Sequence, residues 1–197
     1  KDAIQVSDKN IISQIHGLEM PKFVSKDMIL ENDIAIVDHN DPDESFGAIC
    51  INKTPVFCID HHIDTGIKAD VKIIKKVGAA ATLVAQLAKD KGIKLNDSIA
   101  EALVFGILCD TKGFKSKKTT QDDRNMVEYL YSAYHIPKSV DEIVSLVIVD
   151  TDISNMTIEE ILNNDLKEYN NDLIGIASME VTDDDYLLKI DEILKEG

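Results

Sequence analysis

Asp60-His61-His62 directly follows the apolar run Val56-Phe57-Cys58-Ile59, and Asp38-His39-Asn40 follows a second such run, Ile34-Ala35-Ile36-Val37. Short apolar runs of this kind read as buried strands of a parallel sheet. Ligands of open α/β sheets sit just beyond the carboxyl ends of the strands, so two strands ending in Asp-His would deliver carboxylates and imidazoles into one crevice. Aspartate oxygen and neutral imidazole nitrogen suit a divalent ion such as Mn²⁺. A third carboxylate, Asp110, closes the segment Ser98–Cys109, whose Ile99, Leu103, Gly106 and Ile107 fall on one helical face that Asp110 continues. An inward-facing charge needs a partner, because an unpaired buried carboxylate is too costly. A metal ion is the natural one. The pattern points to metal-dependent hydrolysis.

These residues need a scaffold, and the chain can build one. Its 197 residues are 44% hydrophobic, enough for one core with a small appendage. The formal net charge of −15 argues against a nucleic-acid surface, and the carboxylates are spread along the chain as solvating groups. No apolar stretch approaches the roughly 18 residues of a membrane span. Lys1 to Gly17 lacks the continuous apolar core of a secretory leader. Cys50, Cys58 and Cys109 form no C-x-x-C pair and each lies in an apolar stretch, as reduced core cysteines do. A cytoplasmic protein is expected.

Strands are expected at Ile34–Val37, Val56–Ile59 and, as an edge or third strand, Val71–Lys75, with a further short one at Gly47–Ile51. Ile11, Ile12 and Ile15 fit a short helix. Ala80, Leu83, Val84, Leu87 and Ala88 recur at helical spacing, and Gly92 stands where a carboxyl-terminal cap belongs. Thr120-x-x-Asp123, Ser139-x-x-Glu142 and Thr157-x-x-Glu160 are capping boxes that each open a helix. Beyond Asp165, Leu173–Met179 reads as a strand and Tyr186, Leu187, Ile190, Ile193 and Leu194 as the stripe of a helix. The fold class expected is α/β: a parallel sheet flanked by helices over residues 1–150, a linker with a short helix at 151–164, and the start of a second small α/β domain at 165–197.

Four ordered blocks resemble the DHH phosphoesterase superfamily: Ile36-Val37-Asp38-His39-Asn40, Ile59-Asp60-His61-His62, Val77-Gly78-Ala79-Ala80-Ala81-Thr82, and Leu108-Cys109-Asp110-Thr111 leading to Phe114-Lys115-Ser116. Within it they are most similar to the manganese-dependent (family II) inorganic pyrophosphatases, with Prune-like enzymes and exopolyphosphatases as relatives. The stretch from Thr157 to Lys167 resembles the join between that family's two domains, the second of the DHHA2 type. The resemblance implies two divalent ions (Mn²⁺, or Co²⁺ or Mg²⁺). Asp38 and Asp110 would bridge them, His61 would bind one, and His62 would touch a phosphoryl oxygen of pyrophosphate or a short polyphosphate. Asp38, Asp110 and His62 are thus the catalytic candidates, and Asp60 and His39 would orient the ligands. A homodimer without nucleic-acid or membrane partners is the assembly the resemblance allows.

The departures are as specific as the matches. The family's opening G-H-x-N-P-D-x-D-A block has no counterpart in Lys1–Gly47, so a segment carrying it is expected ahead of Lys1. Lys117-Lys118 stands where the family has Pro-Thr, Ala79-Ala80 stands where Cys-Thr or Ser-Thr is commoner, and Asn170-Asn171-Asp172 stands where a phosphate-binding lysine is expected. A nanoRNase-like exonuclease and a non-catalytic scaffold or sensor are the rival readings.

Overall fold

The computed structural model describes residues 6–22, 24–41, 53–147, 157, 159, 167–169 and 174–176. The chain divides into two compact units, Lys1–Ile148 and Val149–Gly197. In the first, helices α1 (Val6–Ser13) and α2 (Lys26–Glu31) precede strand β1 (Ala35–Val37), followed by β2 (Phe57–Asp60) and β3 (Val71–Ile74). Helices α3 (Ala80–Asp90), α4 (Asp97–Asp110), α5 (Gln121–Ala133) and α6 (Val140–Val147) complete it. The described part of the second unit is an antiparallel pair, β4 (Lys167–Tyr169) and β5 (Ile174–Ile176), with Glu168 opposite Gly175.

The expected α/β class is the one observed. The sheet order is β1-β2-β3 and both pairings are parallel, with Ile36 opposite Cys58 and Ile59 opposite Ile73. One sheet face buries Ile59, Val77 and Leu83, so α3 packs there. The other face buries Ile36, Cys58 and Ile67. The largest core lies among the helices, where Val104, Phe105, Ile107, Leu108, Met126, Val127, Leu130 and Ile143 are buried together.

Three expectations need correction. Cys109, expected as a core cysteine, is exposed near the end of α4. Ile34–Val37 reads as a buried strand, yet Ala35 and Val37 of β1 are exposed and Ile36 is buried. Among the described residues β1 lies at the sheet edge, where one side of the strand lacks a neighbour. The buried face of α4 is also rotated from the one expected. Ala100, Glu101, Val104, Phe105, Ile107 and Leu108 point inward, while Ile99 is exposed. The segment is apolar nearly all round, so periodicity alone cannot select its inner face.

The helix ends follow their sequence signals. Gly92 takes a left-handed φ of 64° after α3, its N–H donating to the Lys89 carbonyl and that of Ile93 to the Ala88 carbonyl, which closes a Schellman turn. Asn96 caps α4 by accepting from the Ile99 N–H at 2.8 Å. Ser139 and Glu142 form the expected reciprocal box ahead of α6. Gly47–Ile51 and the helix containing Tyr186 to Leu194 lie outside the described residues, as does the helix expected after Thr157 except for Glu159, which is helical.

Candidate metal centre

The parallel ladder delivers the two Asp-His motifs side by side. The Asp38 N–H donates to the Ile59 carbonyl at 3.0 Å, and the Lys75 N–H donates to the Asp60 carbonyl at 3.2 Å, so backbone bonds anchor both strand ends. Beyond them, Asp38, Asp60, His61 and His62 bring one ligand atom each within 4.8 Å of one another. Asp38 Oδ1 lies 3.2 Å from His61 Nε2. The imidazole of His61 is nearly buried, with 5% of the side chain exposed, whereas Asp38 is 55% exposed. The site therefore has a buried nitrogen wall and an open oxygen mouth.

The tautomer of His61 follows from its partners. Its Nδ1 stands 3.1 Å from the Val77 carbonyl, an acceptor only, so this nitrogen carries the proton. Nε2, on the far side of the ring, faces Asp38 Oδ1. A ring held through one nitrogen by a carbonyl, with the other free to bind, is how metal-ligating histidines are arranged.

Asp60 performs a different task from Asp38. Its side chain is wholly buried, and Oδ1 accepts from the His61 N–H at 2.7 Å, the His62 N–H at 3.2 Å and His62 Nδ1 at 2.8 Å. Oδ2 accepts from Asn40 Nδ2 at 2.6 Å. Burial pushes this carboxyl up, but the hydrogen bonds from Asn40, His62 and His61 outweigh it and hold Asp60 below the usual carboxylate range. With its lone pairs so engaged, Asp60 orients His62, whose side chain is 60% exposed. Asn40 ties the motifs together, because its side chain also donates to the Ile63 carbonyl and accepts from the Thr65 N–H. His39 turns its Nδ1 back to the Val37 carbonyl at 3.1 Å, outside the four-residue set.

Asp110 ends α4 and is not in that set, yet it faces it. Burial pushes its carboxyl above the usual range; Lys118 and the imidazoles of His61 and His62 pull it down, and the charge of Asp38 adds to the rise. An anion at a helix carboxyl terminus meets the negative end of the dipole, and the last turn of α4 carries no basic residue. Lys118 Nζ, 3.7 Å from Asp110 Oδ1, is the cation at hand. Asp38 and the imidazole of His61, with Asp60 and His62 beside them, make a donor set that fits a divalent cation.

The loop after Asp110 is held by its neighbours. Thr111 is buried, its hydroxyl donating to the Ile107 carbonyl at 2.6 Å while its own carbonyl accepts from the Ser116 N–H at 2.9 Å. Sequence reasoning assigned no role to Asn40 or Lys118, and it read Asp123 as a helix cap alone. Asn40 was visible inside the first motif, and Lys118 as a departure from the family pattern. The contacts of Asp123 with residues 41 and 45 positions earlier leave no local signal.

Residues 145–196 match the DHHA2 domain. The chain is 28% identical over 173 residues to a probable manganese-dependent inorganic pyrophosphatase of Lactobacillus helveticus, covering 85% of this chain and 55% of that protein. It is 30% identical over 164 residues to the manganese-dependent inorganic pyrophosphatase of Methanocaldococcus jannaschii, covering 77% and 53%. The chain is similar to the family II inorganic pyrophosphatases. The crystal structure of one from Methanococcus jannaschii superposes with a TM-score of 0.70 at 25% identity, over 96% of this chain and 65% of that one. An exopolyphosphatase-related protein from Bacteroides fragilis shares the fold, with a TM-score of 0.57 at 21% identity, over 73% of this chain and 44% of that one. The chain spans about half the length of the curated relatives it matches. Among the described residues no helix is long and apolar enough to cross a membrane.

Proposed function

We propose that this chain carries the metal centre of a divalent-metal-dependent phosphoanhydride hydrolase, with inorganic pyrophosphate as substrate. The observation that carries the reading is the approach of Asp38 to His61 Nε2 at 3.2 Å across adjacent parallel strand ends, with the His61 proton held on the opposite nitrogen. The names and similarity of the pyrophosphatase relatives support it. In this reading the first unit, Lys1–Ile148, holds the centre, and the DHHA2-type domain matched over residues 145–196 takes in the stretch 151–164 expected as a linker.

Asp38 and Asp110 would be the carboxylates that hold two divalent ions, manganese by preference, and His61 would be a ligand to one of them. Such ions supply charge neutralisation and a water activated near neutral pH. His62 stands at the mouth, its Nδ1 held by Asp60, and presents its other nitrogen to a phosphoryl oxygen. Lys118, 3.7 Å from Asp110 Oδ1, adds positive charge beside that carboxylate in an acidic protein.

Calorimetric titration of Mn²⁺ with a parallel phosphate-release assay tests the assignment. Asp110→Asn should remain folded and lose metal-dependent turnover, because an amide brings no charge to share between cations. His61→Gln should lose metal affinity. His62→Gln should keep it and lose turnover by the ~10²–10³-fold typical of a missing transition-state donor. Equal Mn²⁺ affinity in the two histidine variants would refute the division of roles, and wild-type turnover in Asp110→Asn would remove Asp110 from the centre.

A further inference from the structure

Asp123 is wholly buried and does more than cap α5. Its Oδ2 accepts from the Thr120 N–H at 2.6 Å and the Thr120 hydroxyl at 2.7 Å, which suffices for a cap. Its Oδ1 accepts from the Thr82 hydroxyl at 2.6 Å, and the Gly78 N–H donates to both oxygens, at 3.1 and 2.9 Å. The box formed by Ser139 and Glu142 opens α6 with both residues exposed, so capping in this chain does not require a buried carboxylate. Burying one is costly, and the additional contacts must account for it. They converge on a single peptide unit.

The Gly78 N–H and the Val77 carbonyl belong to the same planar amide, so fixing the direction of one fixes the other. The N–H points at Asp123. The oxygen, on the opposite side, receives His61 Nδ1 at 3.1 Å. Glycine is required at the junction, since a Cβ on Gly78 would lie 2.6 Å from Asp123 Oδ2 and 2.6 Å from Thr111 Cγ2. We infer that Asp123 is a positioning residue of the metal centre: through the Gly78–Val77 peptide it sets the tautomer and the aim of His61. Metal-ligating histidines commonly lean on a carboxylate directly. Here the carboxylate acts one peptide away, polarising the amide so that the Val77 oxygen becomes a better acceptor. Asp123 lies outside the four-residue ligand set. The inference rests on the reading of His61 as a metal ligand.

The test uses the full chain, ¹⁵N-labelled at histidine and free of metal, at a pH where the imidazoles are neutral. His61 in the wild type should show the Nδ1–H tautomer. In Asp123→Asn the population should shift measurably toward Nε2–H, and Mn²⁺ affinity should fall about 10- to 100-fold, the range of ligand-orienting groups. Thr82→Val, which removes one bond to Asp123 but keeps the charge and the volume, should fold even if Asp123→Asn does not, and should give a smaller shift in the same direction. Glu142→Gln, the matched change at the exposed cap, should leave both readouts unmoved. A lowered melting temperature with unchanged tautomer and affinity in Asp123→Asn and Thr82→Val would make Asp123 merely structural and overturn the inference. So would an Nε2–H tautomer in the wild type. If the wild type bound no Mn²⁺, the metal reading would fail, and the tautomer shift alone would decide whether the relay exists.

Discussion

Gly78→Ala should be the most disruptive single-methyl change in the first unit. The added carbon would lie 2.6 Å from Asp123 Oδ2, 2.6 Å from Thr111 Cγ2 and 3.0 Å from Asp123 Cγ. Neither neighbour can yield cheaply. Asp123 is fixed by Gly78, Thr82 and Thr120, and the Thr111 hydroxyl is bonded to the Ile107 carbonyl and accepts from the Phe114 N–H at 3.3 Å. Overpacking of this kind costs about 1–3 kcal/mol. If Asp123 swings away, a buried charged hydrogen bond worth about 1.5–3 kcal/mol goes with it. Together the two come to about 2.5–6 kcal/mol, a large share of the roughly 5–15 kcal/mol that holds a domain together.

Gly92→Ala is the control, because its φ is 64° but nothing lies within 4 Å of the added carbon. It should cost only the left-handed penalty of about 1–2 kcal/mol. Urea titration followed by tyrosine fluorescence measures both, since Tyr129, Tyr131 and Tyr134 pack against the helical core. Calorimetry with Mn²⁺ supplies the second readout, in which Gly78→Ala should lose affinity and Gly92→Ala should not. A Gly78→Ala midpoint within the error of the Gly92→Ala midpoint would show that the Asp123–Thr111 wedge is looser than its geometry implies.

Elsewhere, Lys138→Met should destabilise the chain by about 3–5 kcal/mol, the usual cost of stranding a buried charge. Glu101 is 4% exposed at the side chain, with Lys138 Nζ at 2.9 Å, and Lys138 also donates to the Gln14 carbonyl at 2.6 Å. Adding Glu101→Leu should recover much of the loss, and a double variant no better than the single would refute the charge argument. Lys118→Met should tighten Mn²⁺ binding at low salt by up to about fivefold, since a partly exposed pair is worth at most about 1 kcal/mol. Unchanged affinity would mean that Lys118 does not compete for Asp110. Finally, Asp123 is held below the usual carboxylate range: burial pushes it up, but the bonds from Thr82, Thr120 and Gly78 prevail. Its folded pKa is lower than its unfolded one, so the unfolded chain binds more protons between the two and stability rises with pH there. The contribution is complete above about pH 4 and is lost as pH falls through the folded value. The acid limb of an unfolding-midpoint profile should therefore be shallower in Asp123→Asn, and an unchanged limb would refute the linkage.

The sheet was legible because a parallel strand announces itself by composition. Ile34–Val37 and Val71–Lys75 contain the strands observed, and Val56–Ile59 is displaced from its strand by one residue at each end. The starts of α5 and α6 were legible because Thr120 and Ser139 cap by local chemistry, whereas the Asn96 cap of α4 went unread. What periodicity could not supply was direction on the apolar helix α4, where nearly every position is hydrophobic and the neighbours decide which side is inside. The site divided in the same way. Asp38, His61 and His62 were visible as motif residues at strand ends. The Val77 carbonyl that accepts from His61 Nδ1 is a backbone group and leaves no trace in residue identity. Asp123 was visible only as a cap, since its contact with Gly78 spans 45 residues.

Backbone strain independently marks the same places. Among the described residues, the non-glycine positions with positive φ are Asp38 at 67°, Lys112 at 51° and Phe114 at 67°. Each costs about 1–2 kcal/mol relative to ordinary backbone, less for an aspartate than for a bulky residue. All three fall within four residues of Asp38 or Asp110, the two carboxylates assigned to bridge the ions. The surroundings hold them there. The Asp38 N–H is bonded to β2, the Gly113 N–H donates to the Leu108 carbonyl at 2.8 Å, and Arg124 grips Phe114 by donating to its carbonyl at 3.2 Å and stacking 4.7 Å over its ring. Strain that persists only because neighbours over-determine it is characteristic of functional sites, where geometry outranks local comfort. A purely structural loop after α4 could have ended with a single glycine in the left-handed region. Three consecutive residues there, Lys112, Gly113 and Phe114, turn the chain so that Ser116 returns to Thr111 and Lys118 comes alongside Asp110. That turn is what brings a cation from the following loop to the carboxylate at the end of α4.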